Sequence, residues 1–165
     1  MRAKIQDWLR YVGAAIVLTG AIVGVEILLE QPMGLFSGSR PSDLGFKAGK
    51  FKPCSWKPNC VSSTAPNDDA KHFIEPLKLS GAPEACWNKL KDFLASNPRV
   101  KIITDQPGYI HAEFKSAMLG FVDDTEFALE TGAQVIHVRS ESRLGVRDFD
   151  VNRKRVESVR ARLAK

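Results

Sequence analysis

The sequence predicts an α+β domain: an antiparallel sheet of about five strands with helices on one face, in the order strand–helix–four strands–helix, preceded by one N-terminal transmembrane helix. Three observations carry this expectation. Between Tyr109 and Arg143 apolar and polar residues alternate, with breaks at Leu119-Gly120 and Gly132-Ala133, as in a three-stranded meander with one wet face. An amphipathic stretch opens at Pro83 and a basic one closes the chain. Near the start, Tyr11 to Leu29 is a 19-residue run, apolar apart from Thr19 and Glu26.

At about 1.5 Å per helical residue that run approaches the roughly 30 Å of a bilayer's hydrocarbon core. Residues 1–10 carry Arg2, Lys4 and Arg10 against Asp7, whereas Glu26 and Glu30 lie at the other end. The positive-inside rule then places residues 1–10 in the cytoplasm and the rest outside it, periplasmic or, in a plastid, lumenal. A cleaved secretory signal is the rival reading, disfavoured because no small-x-small cleavage site follows the run. Gly13, Gly20 and Gly24 share one face of such a helix and suit close packing on a partner membrane protein. Residues 30–52, punctuated by Pro32, Gly34, Gly38, Pro41, Gly45 and Gly49, are expected as a flexible linker to a domain spanning 53–165.

Within the domain, Cys54 and Cys60 flank five residues, with Pro58 between them and Pro53 beside them. No second Cys/His pair at zinc spacing is present and the CxxC redox spacing is absent, so no metal or other cofactor is expected. Outside the cytoplasm a local Cys54–Cys60 disulfide is the better reading, with Cys86 left as a buried free thiol on a helix face. His72 to Leu79 reads as a strand, bent or at an edge because of Pro76. The helix from Pro83 presents Cys86, Trp87, Leu90, Phe93 and Leu94 on one stripe and ends at Asn97-Pro98. Val100 to Thr104 is a short strand, and Gln106-Pro107-Gly108 turns into the meander.

Two-residue loops at the breaks set a register in which Lys115 faces Asp124, Glu126 faces Arg139, Ser116 faces Asp123 and Asp123 faces Ser142. His111, Glu113, Lys115, Asp124, Glu126, His137, Arg139, Glu141 and Arg143 then line an outer, solvated face, where Lys115–Asp124 and Glu126–Arg139 are ordinary cross-strand pairs. Ile110, Ala112, Phe114, Met118, Phe127, Leu129, Ile136 and Val138 line the inner face.

These residues carry a resemblance. Pro53-Cys54, Pro58-Asn59-Cys60-Val61-Ser62-Ser63, Phe114, Ser116, Gly120-Phe121-Val122-Asp123-Asp124, Arg139-Ser140, Ser142-Arg143, Gly145, Asp148 and Asn152-Arg153 together resemble the family known as domain of unknown function 1499, over about residues 51–163. Glu141, Arg147 and Phe149 depart from the pattern. The resemblance implies no activity. It does agree with an export signal or membrane segment at the N-terminus.

The preferred functional reading is a membrane-anchored binding or assembly module, outside the cytoplasm, for a partner protein, an apolar ligand or a lipid. No Gly-x-Ser-x-Gly elbow, HExxH helix, Walker loop or GxGxxG occurs, and no catalytic residue is assigned. A hydrolase using Asp123 is the alternative, although Asp123 and Asp124 point to opposite faces of a strand. The third reading is an anionic-lipid binder using Arg153, Lys154, Arg155, Arg160, Arg162 and Lys165, with nucleic acid unlikely on the motifs. The candidate ligand site follows from the register. Ser116, Asp123, Thr125, Ser140 and Ser142 give the inner face one polar end, and Asn152 and Arg153 begin the last helix beside it. Asp150 or Asn152 is expected to cap that helix.

Overall fold

The computed structural model describes residues 36–117 and 119–164, all within one compact unit. The expected span at 11–29 and its glycine face, Gly13, Gly20 and Gly24, lie outside the described residues. Among the described residues no helix is long and apolar enough to cross a membrane.

Eight elements follow in order: β1 (Cys60–Ser62), β2 (Leu77–Lys78), α1 (Pro83–Ala95), β3 (Val100–Gln106), β4 (Tyr109–Lys115), β5 (Val122–Glu130), β6 (Val135–Ser142) and α2 (Val151–Leu163). The six strands form one antiparallel sheet, ordered β1-β6-β5-β4-β3, with β2 also paired to β6. The expected strand at 72–79 is a ladder of only Leu77 and Lys78. Pro76 has no N–H to donate, and Phe73 makes just an isolated parallel bridge with Ser62. The unforeseen strand is β1, which follows the first disulfide half and pairs Cys60, Val61 and Ser62 with Glu141, Ser140 and Arg139. Cys54 and Cys60 are bonded and Cys86 is free and buried, as expected.

The core lies between the apolar sheet face and both helices. Ile110, Ala112, Phe114, Phe127, Ile136 and Val138 meet Trp87, Leu90 and Leu94 of α1 and Val156, Val159 and Leu163 of α2. The stripe on α1 is the one its sequence presents, with Phe93 at the margin.

The meander keeps its predicted faces but not all of its register. β5 and β6 pair as expected, with Glu126 opposite Arg139 and Asp123 opposite Ser142. Between β4 and β5 the pairing is displaced by two residues: Lys115 faces Val122, and Asp124 faces Glu113. The cause is the connection. Ser116 N–H donates to the Phe121 carbonyl at 2.8 Å, and Phe121 N–H donates to Ser116 Oγ at 3.0 Å, closing a six-residue loop, 116–121, where two residues were expected. Gly120 provides a left-handed φ of 69° within it. A shift of two leaves every side chain on its own face, because the strand period is two.

The outer face is not solvated. Glu126 is 0% exposed, Arg139 1% and Asp124 2%. Residues 36–52 lie along this face as a strap. Arg40 Nε reaches Glu113 at 2.6 Å, and Gly45 N–H donates to Glu126 Oε1 at 2.7 Å. The Phe46 ring stacks on His137 with centroids 5.4 Å apart and meets Phe51 edge-on at 4.8 Å. Beneath the strap the charges pair closely. Arg143 bridges Glu113 and Asp124, His111 Nε2 lies 2.7 Å from Asp124, and Arg139 Nη2 donates to Glu141 at 2.5 Å. Tyr109 O–H donates to Glu126 at 2.8 Å. The expectation of solvent-screened pairs is therefore corrected. This alternation is not one wet face and one dry one. It is a sheet covered twice, which is why seven consecutive residues of β5, Val122–Ala128, are buried.

Candidate functional site

At one end of the sheet three connections come together: the disulfide loop before β1, the loop 116–121, and the segment 143–150 between β6 and α2. The inner face turns polar here, and the last helix starts here. Asp123, Thr125, Ser140 and Ser142 fall at this end because alternate positions of β5 and β6 point inward.

Asn152 is fully buried where α2 begins. Its Oδ1 accepts from Ser140 Oγ at 2.6 Å, and its Nδ2 donates to Ser142 Oγ at 2.9 Å and to the Asn59 carbonyl at 3.0 Å. Ser140 and Thr125 hydroxyls meet at 2.9 Å. Asp148 also serves the start of the helix, accepting the Asn152 N–H and Nδ2, each at 2.8 Å. Asp150, at the N-cap position, makes no side-chain cap, so the expected capping role belongs to Asp148. Asp150 and Phe149 have φ of 64° and 55°, a conformation unusual for residues with a Cβ.

Asp123 is paired with Arg155, whose other terminal nitrogen donates to Ser140 Oγ at 2.9 Å and to Asn152 Oδ1 at 2.5 Å. The Arg155 guanidinium also sits 4.7 Å from the centre of the Phe114 ring, a cation–π placement. Arg155 was missing from the expected site. Its signal was available: residues 152, 155, 156 and 159 recur at the spacing of one helical face, so turning Asn152 inward carries Arg155 with it. Arg153, the residue expected there, points away. It donates to the carbonyls of Lys71 and Phe73 at 3.2 and 2.9 Å. Arg160 likewise holds the Pro76 and Glu75 carbonyls, each at 2.7 Å. Three arginines of the basic helix are thus engaged within the fold.

Asp124 points to the opposite face, held by Arg143 and His111. Burial alone would raise its carboxyl, but the hydrogen bonds from Arg143 and His111 outweigh burial and hold it below the usual range. The adjacent carboxylates thus lie on opposite faces, and each has its own arginine.

Beside Asp123 a cleft of about 300 Å³ opens to solvent. Ser116, Asp123, Ser142 and Asp148 supply its polar lining, Phe121, Leu144, Phe149 and Val151 its apolar walls, and Arg147 its cationic edge. Thr125, Ser140 and Asn152 are not on its surface. They brace the residues that are. Ser116 reaches the cleft from the loop and not from a strand position facing Asp123, which is taken by Phe114. Among the described residues no group of three His, Cys, Asp or Glu could hold a metal ion.

The sequence profile of a family described as "Protein of unknown function (DUF1499)" matches residues 50–163, which include every strand and helix among the described residues, and the cleft. No curated protein and no solved structure matches the chain. The match extends over most of the chain, which belongs to this family of proteins of unknown function.

Proposed function

We propose that this chain is a binding module that takes an amphipathic molecule into the cleft beside Asp123, and that the apolar run 11–29 tethers it to a membrane with residues 31–165 outside the cytoplasm. The cleft itself supports the reading. Its volume of about 300 Å³ is at the lower end of the range for small-molecule sites, and its lining is apolar with a few convergent polar groups. Only one oxygen of Asp123 is used by Arg155, so the other can accept a hydrogen bond from a ligand's hydroxyl or amine. Leu144, Phe149 and Val151 are exposed and offer a surface for an apolar tail.

The test is native mass spectrometry of the full chain purified in mild detergent, with organic extraction of what accompanies it. Val151→Trp fills the cleft from an exposed position at the first turn of α2, without touching a buried hydrogen bond. The expected result is a co-purifying molecule that Val151→Trp loses at unchanged melting temperature. A wild-type chain that carries nothing and binds no amphiphile from a panel would overturn the reading. The tether is tested separately by reporter fusions, and a cytoplasmic C-terminus would refute the topology.

A further inference from the structure

The loops at the same end of the sheet carry a second feature. Phe149 is 83% exposed and Trp56 72%, the two most exposed large apolar side chains among the described residues. Both line a shallow depression of about 510 Å³, together with Pro58, Lys71, Val146, Arg147, Asp148 and Asp150. Leu119, Leu144 and Val146 add further exposed apolar surface on the neighbouring loops. Single exposed apolar residues need no explanation, but several on adjoining loops at one end of a domain do. Phe149 is also held outward by consecutive left-handed residues, a conformation that costs free energy and does not contribute to the core.

Cations accompany these aromatics. Lys71 Nζ lies 3.5 Å from the Trp56 carbonyl, and Lys154 Nζ lies 3.4 Å from the Phe149 carbonyl. Neither lysine, nor Arg147, is ion-paired among the described residues. Two carboxylates share the depression: Asp148 is occupied by the Asn152 N–H and amide, and Asp150 forms no ion pair among the described residues, so three cations stand against one unpaired carboxylate. Trp and Phe beside unpaired Lys and Arg is the composition that lies at a bilayer interface: rings enter the headgroup zone and cations meet anionic lipid.

The chain enters the described residues at this end too. The Phe36 ring stacks on Phe121, centroids 5.1 Å apart, and Phe121 lines the cleft. Six residues, 30–35, separate the apolar run from Phe36. At most about 3.5 Å per residue, that tether spans no more than roughly 25 Å.

We propose that Trp56, Val146 and Phe149, with Lys71, Arg147 and Lys154, form a surface that docks on the headgroup region of an anionic bilayer. The inference goes beyond the ligand cleft and stands if the cleft proves empty. If both hold, the cleft opens toward the lipid, and the lipid is the ligand's source.

The experiment uses the full chain reconstituted into vesicles, in a Trp8→Phe background that leaves Trp56 and the buried Trp87. Subtracting the signal of Trp8→Phe/Trp56→Phe isolates Trp56. In vesicles of mixed zwitterionic and anionic lipid, headgroup-proximal bromolipid should quench Trp56 and aqueous acrylamide should not. Lys71→Ala and Lys154→Ala should each shift the docked-to-undocked ratio by roughly fivefold, the factor expected for one cation near an anionic surface. Purely zwitterionic vesicles should remove the lysine dependence. Trp56 that acrylamide reaches and bromolipid does not would overturn the proposal. So would Trp56 shielded from both, which is the signature of a protein partner. Ligand retention by Trp56→Phe in the mass-spectrometric assay reports on the cleft independently.

Discussion

Asp123→Asn tests how the last helix is held to the sheet. The pair it disrupts is enclosed, the Arg155 and Asp123 side chains being 11% and 10% exposed. Removing one member of a fully buried ion pair costs about 3–5 kcal/mol, because the other charge is left uncompensated. Here the cost is reduced. Arg155 keeps Ser140 Oγ, Asn152 Oδ1 and the Phe114 ring, and the asparagine oxygen still accepts one hydrogen bond. We expect a loss of about 1–3 kcal/mol. The assay is urea unfolding of the full chain in mild detergent, in a Trp8→Phe/Trp56→Phe background, followed by fluorescence of Trp87, which belongs to the buried stripe of α1. A cycle with Arg155→Met and the double variant isolates the pair. The double variant should be more stable than the sum of the single losses implies, with a coupling of about 1–2 kcal/mol. A coupling below about 0.5 kcal/mol would mean that the pair does not hold α2, and the account of the site's frame would fail.

Four further outcomes are expected. Peptide mapping without reductant should find Cys54 linked to Cys60 and Cys86 unreactive until unfolding; reducing the short loop should cost about 2–3 kcal/mol on the chain-entropy account. Arg139→Met should destabilise by roughly 3 kcal/mol, because it leaves Glu126 buried beneath the strap with only Tyr109 and the Gly45 N–H as partners; a loss under about 1 kcal/mol would show that face to be wet. Glu113 is buried, which alone would raise its carboxyl, but hydrogen bonds from Arg40 and Arg143 hold it below the usual range. With Asp124 also depressed, both contribute stability that is present above the ordinary carboxylate pKa of about 4 and lost as the pH falls through their lower folded values. Protection factors against hydrogen exchange at residues 36–52, corrected for the intrinsic pH dependence of exchange, should therefore fall on acidification, and Glu113→Gln should weaken that dependence. Tyr109 is pushed up by burial and by Glu126, so its phenol should stay protonated well above the ordinary pKa of about 10 in an absorbance titration, and the stability it lends should fade only as alkali ionises it.

Much of this architecture was legible in the residues. Strict alternation in 109–143 determined the three meander strands and which side chains share a face, since period two admits only two assignments. The stripe of Cys86, Trp87, Leu90 and Leu94 determined how α1 packs, and an apolar run with basic residues before it determined the expectation of a span. The Cys54–Cys60 disulfide was legible from their local spacing only together with the expectation of an oxidising compartment and the lack of metal-ligand spacing. The polar end of the inner face, with Asp123 opposite Ser142, was also readable, because a correct β5–β6 register follows from charge and turn pattern together.

Tertiary structure decided the rest. A loop's length is not written in the pattern it interrupts, so the Ser116–Phe121 backbone pair, and not the position of Gly120, displaced Lys115 from Asp124. Whether charged alternation faces water or another layer depends on what the chain brings to it. Residues 36–52, with three glycines and Pro41 that suggest a free linker, cover the charged face through single hydrogen bonds and one aromatic stack, contacts with no periodicity. Arg155 shares a helical face with Asn152 and Val156 and Arg153 does not, but the packing of α2 decides that this face brings Arg155 to Asp123 while Arg153 holds the backbone at 71–73. Periodicity is a local property of the chain. Loop closure, second-layer cover and the rotation of a helix about its axis are set by contacts between segments many residues apart.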